Sequence, residues 1–134
     1  VVIRETREPL YRVDNRGPDQ LKETGFLAKD IHDADLDQHL GAGNRAFVST
    51  SRNPAMPWRG RFQYELDLEG GIDADRTVGS ELYGGHQQEV AIPGGFPYKH
   101  VRRFRVMLNE EAVGNGEAAP KYGPWHDNPD YEPP

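Results

Sequence analysis

Apolar and polar positions alternate most clearly over Arg61–Leu68 (RFQYELDL), where Phe62, Tyr64, Leu66 and Leu68 recur at every second residue. That period predicts a strand with one apolar face. Tyr98–Leu108 repeats the pattern, with Phe104, Val106 and Leu108 alternating against Arg103, Arg105 and Met107, and predicts a second. Three shorter β-prone runs, Pro9–Val13, Ala46–Ser51 and Gln87–Ile92, complete the strands; the last is stopped by Pro93-Gly94-Gly95. Helical patterning is confined to two short runs. Pro18–Thr24 opens with Pro, carries Asp19 in its first turn and closes at Gly25. Asp33–Leu40 places Leu36 and Leu40 on one helical face, with Asp33 as cap and Gly41 as stop.

Between these runs Gly70–Gly85 reads as loop, and Pro54 and Pro57 exclude a helix from Arg52–Gly60. From Asn115 onward the chain is rich in Pro and Gly and is expected to run as coil, anchored where Tyr122, Trp125 or Tyr131 meets an apolar patch. At 134 residues the chain has the length of one domain. Residues 1–114 are expected to form its body and 115–134 a tail belonging to the same domain. Only 35% of residues are hydrophobic, and 15 Gly and 11 Pro interrupt long elements, which argues against a helical bundle and for a β-rich α+β fold.

With no Cys there are no disulfides, no thiolate zinc sites and no thiol nucleophile. No run reaches the roughly 18–20 apolar residues of a membrane span. A start at Val is expected for a mature form or an excised domain. The balance of 16 Lys and Arg against 22 Asp and Glu, a net charge of −6, weighs against unspecific binding to phosphate backbones. Arg102, Arg103 and Arg105 with Lys99 nonetheless offer a local basic strip. His32–Asp37 gathers hard oxygen ligands, but a calcium loop opened at Asp33 needs Gly and Glu where the chain has Gln38 and Asn44, so no metal is expected. Nucleophile elbow, phosphate loop and dinucleotide fingerprint are all absent.

Three fragments carry information through their order: Leu10–Pro18 (LYRVDNRGP), Phe47–Ser51 (FVSTS) and Gln87–Phe96 (QQEVAIPGGF). In this the chain resembles the bacterial mono-ADP-ribosyltransferase toxins of the cholera and pertussis type, over roughly Leu10 to Leu108. Those toxins carry an Arg on the first strand, a Ser-Thr-Ser strand and a Glu/Gln-x-Glu strand. The resemblance implies two packed antiparallel sheets with short peripheral helices and a cleft for NAD⁺, which is a substrate rather than a resident cofactor. It implies transfer of one ADP-ribose to a macromolecule with release of nicotinamide.

Under that resemblance Glu89 is the carboxylate that stabilises positive charge on the ribose, Arg12 holds cofactor oxygens, Ser49 orients Glu89, and Thr50 and Ser51 shape the nicotinamide pocket. Gln87, two residues before Glu89, shares its strand face and acts with it. Gln at that position is similar to the pierisin and scabin group, which modify guanine in DNA, and to enzymes that modify asparagine on small GTPases. A neutral amide disfavours an arginine target. Net charge tilts the expected acceptor slightly toward protein, with DNA or RNA as the other choice. Tyr83, Gly84 and His86 lie in the loop where such toxins recognise their targets, and Trp58 or Arg59 is expected over the cofactor. The resemblance implies a secreted or injected toxin domain acting in a target cell's cytosol, with a cognate immunity protein as partner. The alternatives are an NAD⁺ glycohydrolase and a binding module that keeps the fold without the activity.

Overall fold

The computed structural model describes residues 2–27, 47–74 and 88–134. Within them the chain forms β1 (Leu10–Asp14), α1 (Pro18–Thr24), β2 (Phe26–Leu27), β3 (Phe47–Ser51), β4 (Phe62–Leu66), β5 (Ile72–Asp73), β6 (Glu89–Pro93) and β7 (Gly95–Phe96). A 3₁₀ turn (Tyr98–His100), β8 (Val101–Val106), α2 (Glu110–Gly114) and β9 (His126–Asp127) follow. Seven strands make one sheet in the order β5-β6-β3-β1-β4-β8-β9, and β2 pairs with β7 in a second. Every described strand pairing is antiparallel.

The expected α+β architecture of two packed antiparallel sheets with short helices is the one observed. Its core lies between the sheets. Leu10, Val48, Tyr64, Leu66, Val90, Ile92 and Val101 come from the large sheet, Phe26 and Phe96 from the small one, and Leu21 from α1. Phe26 stacks on Phe96 at 4.7 Å and meets Tyr64 edge-on at 5.2 Å, a geometry favoured by the ring quadrupoles. The buried Tyr64 hydroxyl donates to the Arg16 carbonyl at 2.6 Å, so its burial leaves no polar group unpaired. α1 forms where Pro18 and Gly25 bracket it, and the Gly25 N–H closes the helix on the Leu21 carbonyl at 2.7 Å.

Several expectations require correction. β8 begins at Val101, after the 3₁₀ turn, and ends at Val106; Leu108 lies beyond it and is 68% exposed, while Met107 is buried in its place. It is not the final strand, because β9 adds an edge from the tail. β4 stops at Leu66 behind an irregularity at Glu65/Leu66, and β2, β5 and β7 are two-residue strands that period counting missed. α2 was not foreseen. The helix expected over Asp33–Leu40 lies outside the described residues.

The tail is an ordered strap. Trp125 lies under two guanidinium groups, Arg103 and Arg105, each 4.3 Å from the ring centroid, and Tyr122 lies 4.0 Å from that of Arg105. Asn128 donates to the Val101 carbonyl, and the Tyr131 hydroxyl donates to Asp67, which also holds Arg7. All three aromatic residues expected to anchor the tail thus meet arginine or aspartate rather than an apolar patch. The far face of the sheet is covered as a result.

The small sheet depends on a close approach. Gly95, at φ +102°, faces Phe26 so tightly that a Cβ would collide with the Phe26 carbonyl oxygen. Gly95→Ala is therefore expected to cost about 3 kcal/mol, adding strain to lost pairing. Urea denaturation checks this, and a loss below about 0.5 kcal/mol contradicts it.

Candidate active site

Ser49, Ser51 and Glu89 are brought together by register. β3 pairs with β6 through Ser49↔Ala91, Thr50↔Val90 and Ser51↔Glu89. Alternation sets Ser49, Ser51 and Glu89 on one face, with Ser51 directly beside Glu89 and Ser49 on the diagonal. Glu89 is only 1% exposed. Thr50 points the other way, fully buried, and its hydroxyl donates to the Val90 carbonyl at 2.7 Å, which ties β3 to β6. The Ser51 hydroxyl accepts the Asn53 N–H at 3.0 Å, and this starts the loop that leaves the strand.

Arg12 enters from β1. The β1–β3 ladder has one registered pair, Tyr11↔Ser51, against five on β1–β4 and five on β3–β6. Arg12 crosses this least-stitched seam, its Nη1 donating to the Ser49 carbonyl at 2.9 Å and its Nε to Asp14 Oδ2 at 3.2 Å. Burial pulls its pKa down; Asp14 pushes it up, Arg16 lowers it, and the charge of Glu89 raises it. From its high starting value the guanidinium keeps its charge. Asp14 is gripped in turn by Arg16 at 2.8 Å. Although its burial works against ionisation, hydrogen bonds from Arg16 hold its carboxyl below the usual range.

One row of residues crosses the sheet at the level of Glu89. It runs Glu89↔Ser51↔Tyr11↔Glu65↔Arg103↔Asp127 through five consecutive pairings. Within it Arg103 holds Glu65 with two hydrogen bonds of 3.0 and 3.1 Å, and the Tyr11 hydroxyl donates to the same carboxylate at 3.2 Å. Two residues along each strand, Arg105 donates to Gln63 at 2.7 Å, and Gln63 donates to the Pro54 carbonyl at 2.8 Å. These contacts fix the 52–60 loop, whose Met56 is buried and whose Arg59 lies against Gly114 of α2. Trp58 is half-buried.

Gln87, Tyr83, Gly84 and His86 lie outside the described residues. Sequence reasoning missed Arg52, which binds Glu8 at 2.6 Å and Asp73 at 3.0 Å just past the Ser-Thr-Ser strand. Its only signal was its place after that motif. Among the described residues no cluster of His, Asp or Glu is arranged to hold a metal ion, and no helix is long and apolar enough to cross a membrane.

Comparison with known proteins bears on this geometry. The Scabin-like family model matches residues 10–131. The chain is 34% identical over 134 residues to a guanine-specific ADP-ribosyl transferase of Streptomyces coelicolor, an alignment covering 93% of this chain and 66% of that protein. To pierisin of Pieris brassicae it is 28% identical over 127 residues, which cover 81% of the chain and 15% of pierisin. The chain thus spans under two thirds of the length of both relatives. Among solved structures, the scabin toxin of Streptomyces scabies in complex with NADH superposes with a TM-score of 0.82 at 30% identity, covering 98% of this chain and 80% of that one. A guanine-specific ADP-ribosyltransferase superposes at 0.83 and 28%, covering 98% and 82%.

Glu8 gives the site's rim a pH signature. Burial raises its pKa, but hydrogen bonds from Thr6, its own backbone amide and Arg52, with the charge of Arg4, bring it down to about 2. A depressed carboxylate stabilises the fold fully above its unfolded pKa, near 4.5, and loses that contribution as pH falls toward 2. Comparing Glu8→Gln with the parent by thermal melting from pH 7 to pH 2 should show a stability gap that closes below pH 4; a gap constant across that range contradicts the assignment.

Proposed function

The chain belongs to the Scabin-like family of NAD⁺-dependent mono-ADP-ribosyltransferases, and we propose that it transfers one ADP-ribose from NAD⁺ to a guanine base of a nucleic acid. The observation that carries the proposal is the placement of Arg12, Ser49, Ser51 and Glu89 on three adjacent strands, with the Arg12 guanidinium on the Ser49 carbonyl, in a fold that superposes on a guanine-specific enzyme.

Cleaving the bond between ribose C1′ and the nicotinamide nitrogen sends the electron pair to nicotinamide and builds positive charge on the sugar, an oxocarbenium-like state. Glu89 is the fixed carboxylate that stabilises that charge, and its effect counts because the charge exists only in the transition state. Arg12, half-buried and held by Asp14 and the Ser49 carbonyl, offers its planar donors to the pyrophosphate or ribose oxygens. Ser49 and Ser51 orient Glu89 from the neighbouring strand, and Thr50 keeps that strand seated on β6. A guanine nitrogen then bonds to C1′ and gives up a proton.

Gln87 supports a base as acceptor. A neutral amide both donates and accepts, which matches the edge of a nucleobase, and it cannot deprotonate a guanidinium. Tyr83, Gly84 and His86 are its proposed companions at the acceptor, with Tyr83 stacking on a base. The net charge of −6 is a weaker guide, because attraction to phosphate depends on local basic groups rather than on the sum. Residues 1–114 form the catalytic body in this proposal and 115–134 a tail of the same domain, a reading supported by the strapping of Tyr122, Trp125 and Tyr131 onto β8 and Asp67. As a toxin domain it is secreted or injected, acts inside a target cell and is restrained in its producer by an immunity protein.

Incubation with NAD⁺ labelled in its adenylate part, offered separately to guanine-containing DNA, guanine-free DNA, RNA and protein, tests the acceptor. Label is expected on guanine-containing strands alone, and Glu89→Gln should lower the rate by about 10²–10³-fold with folding unchanged. Label confined to protein overturns the guanine assignment. Nicotinamide release with no labelled acceptor favours a glycohydrolase, and full activity in Glu89→Gln removes that residue from the chemistry.

A further inference from the structure

Arg52 directly follows the Ser-Thr-Ser strand and reaches three separate segments. Its Nε donates to Glu8 Oε1 at 2.6 Å, its Nη2 donates to Asp73 Oδ2 at 3.0 Å, and its backbone N–H donates to the Gln88 carbonyl at 3.1 Å. Asp73 belongs to β5 and is registered with Val90, on the far side of β6 from β3. The side chain therefore spans from β3 to β5 across the first residues of β6. Those first residues are Glu89 and Val90, and Gln88 before them has φ +49°, the one positive value at a non-glycine among the described residues. A conformation of that kind persists where its surroundings hold it.

The other end of the clamp is anchored too. Glu8 lies 3.5 Å from the guanidinium of Arg4, which is buried and donates to the carbonyls of Gly70, Leu68 and Glu8. Arg4 thus ties the Val2–Glu8 segment to the chain just ahead of β5, and the Ile3↔Ile72 bridge with the Arg4 N–H on the Gly71 carbonyl repeats the tie in the backbone. A planar guanidinium presents separate nitrogens in a fixed fork, and here Nε and Nη2 engage two carboxylates on different segments. A lysine in its place keeps the charge and loses the span.

We propose that Arg52 is a positioning residue for Glu89, gripping the start of β6 between Asp73 and its own backbone so that the catalytic carboxylate is held in one place. It acts without touching substrate. The proposal rests on Glu89 being the catalytic carboxylate, so its test reads the clamp both through chemistry and independently of it.

Steady-state nicotinamide release, amide hydrogen exchange and thermal melting are to be measured together for the parent, Arg52→Lys, Arg52→Gln, Asp73→Asn and Glu89→Gln. In the Arg52 and Asp73 variants kcat is expected to fall about tenfold or more while KM for NAD⁺ moves less than about threefold, since misplacement costs the transition state more than binding. Exchange should quicken at Glu89 and Val90 and stay unchanged along β1 and β4. A kcat within about twofold of the parent, or faster exchange spread evenly over the sheet, overturns the clamp. Should Arg52→Gln not fold, Asp73→Asn carries the test, because it leaves the Arg52–Glu8 pair intact. Equal nicotinamide release by the parent and Glu89→Gln defeats the catalytic assignment instead, and the exchange pattern then decides the clamp alone.

Discussion

A single guanidinium closes the place where the large sheet is least stitched. β1 and β3 share one registered pair, and Arg12 crosses that seam to the Ser49 carbonyl while Asp14 holds it from its own strand. The same bonds that join the two halves of the sheet therefore aim the cation at the strand pair carrying Ser49, Ser51 and Glu89. Asp14 passes the restraint to Arg16, and the Arg16 carbonyl takes the hydroxyl of Tyr64, which is packed among Phe26, Phe62, Phe104 and Tyr98. The site's cation is thus tied through two ionic contacts and one hydrogen bond to the aromatic core. A partly desolvated charge is held best in such company, because desolvation uncompensated by partners destabilises the fold.

The second face of the sheet is filled by a different chemistry. Tyr11, Gln63, Glu65, Arg103 and Arg105 occupy positions that an apolar layer would fill in a larger domain, and Tyr122 and Trp125 of the tail cover them. This accounts for how a chain with only 35% hydrophobic residues closes both faces of its sheet. Stacking of guanidinium on indole buries aromatic area while the arginines keep carboxylate or amide partners. The polar row ending at Glu89 is continuous with that layer. Glu89, the proposed catalytic carboxylate, thus shares one face of the sheet with these structural polar groups.

Sequence patterning captured what is local. α1 is bounded by Pro18 and Gly25, residues whose conformational limits act within the helix itself, and it forms over the run expected. The strand expected over Pro9–Val13 forms one residue later, at Leu10–Asp14. What escaped depends on distant chain. Glu65 and Gln63 sit on the polar side of the alternation in β4, yet both are buried, because partners from β8 and a strap some sixty residues downstream close over them. Val106 and Leu108 satisfy the alternation and are nonetheless exposed, since β8 ends and the apolar layer goes no further. Two-residue strands are too short to show a period at all. Of the proposed site, the order of three fragments pointed to Arg12, Ser49 and Glu89, which lie on the adjacent strands β1, β3 and β6. The reach of Arg52 to Glu8 and Asp73 is a tertiary fact that no spacing encodes.

The central claim is that Arg12 and Glu89, one on each side of that seam, grip the two ends of the same nicotinamide ribose phosphate. A crystal structure of the Glu89→Gln variant with NAD⁺ tests it most directly. The account predicts the pyrophosphate or ribose oxygens within hydrogen-bonding distance of the Arg12 guanidinium and the nicotinamide ribose against residue 89. A dinucleotide bound elsewhere on the sheet, touching neither residue, would contradict it.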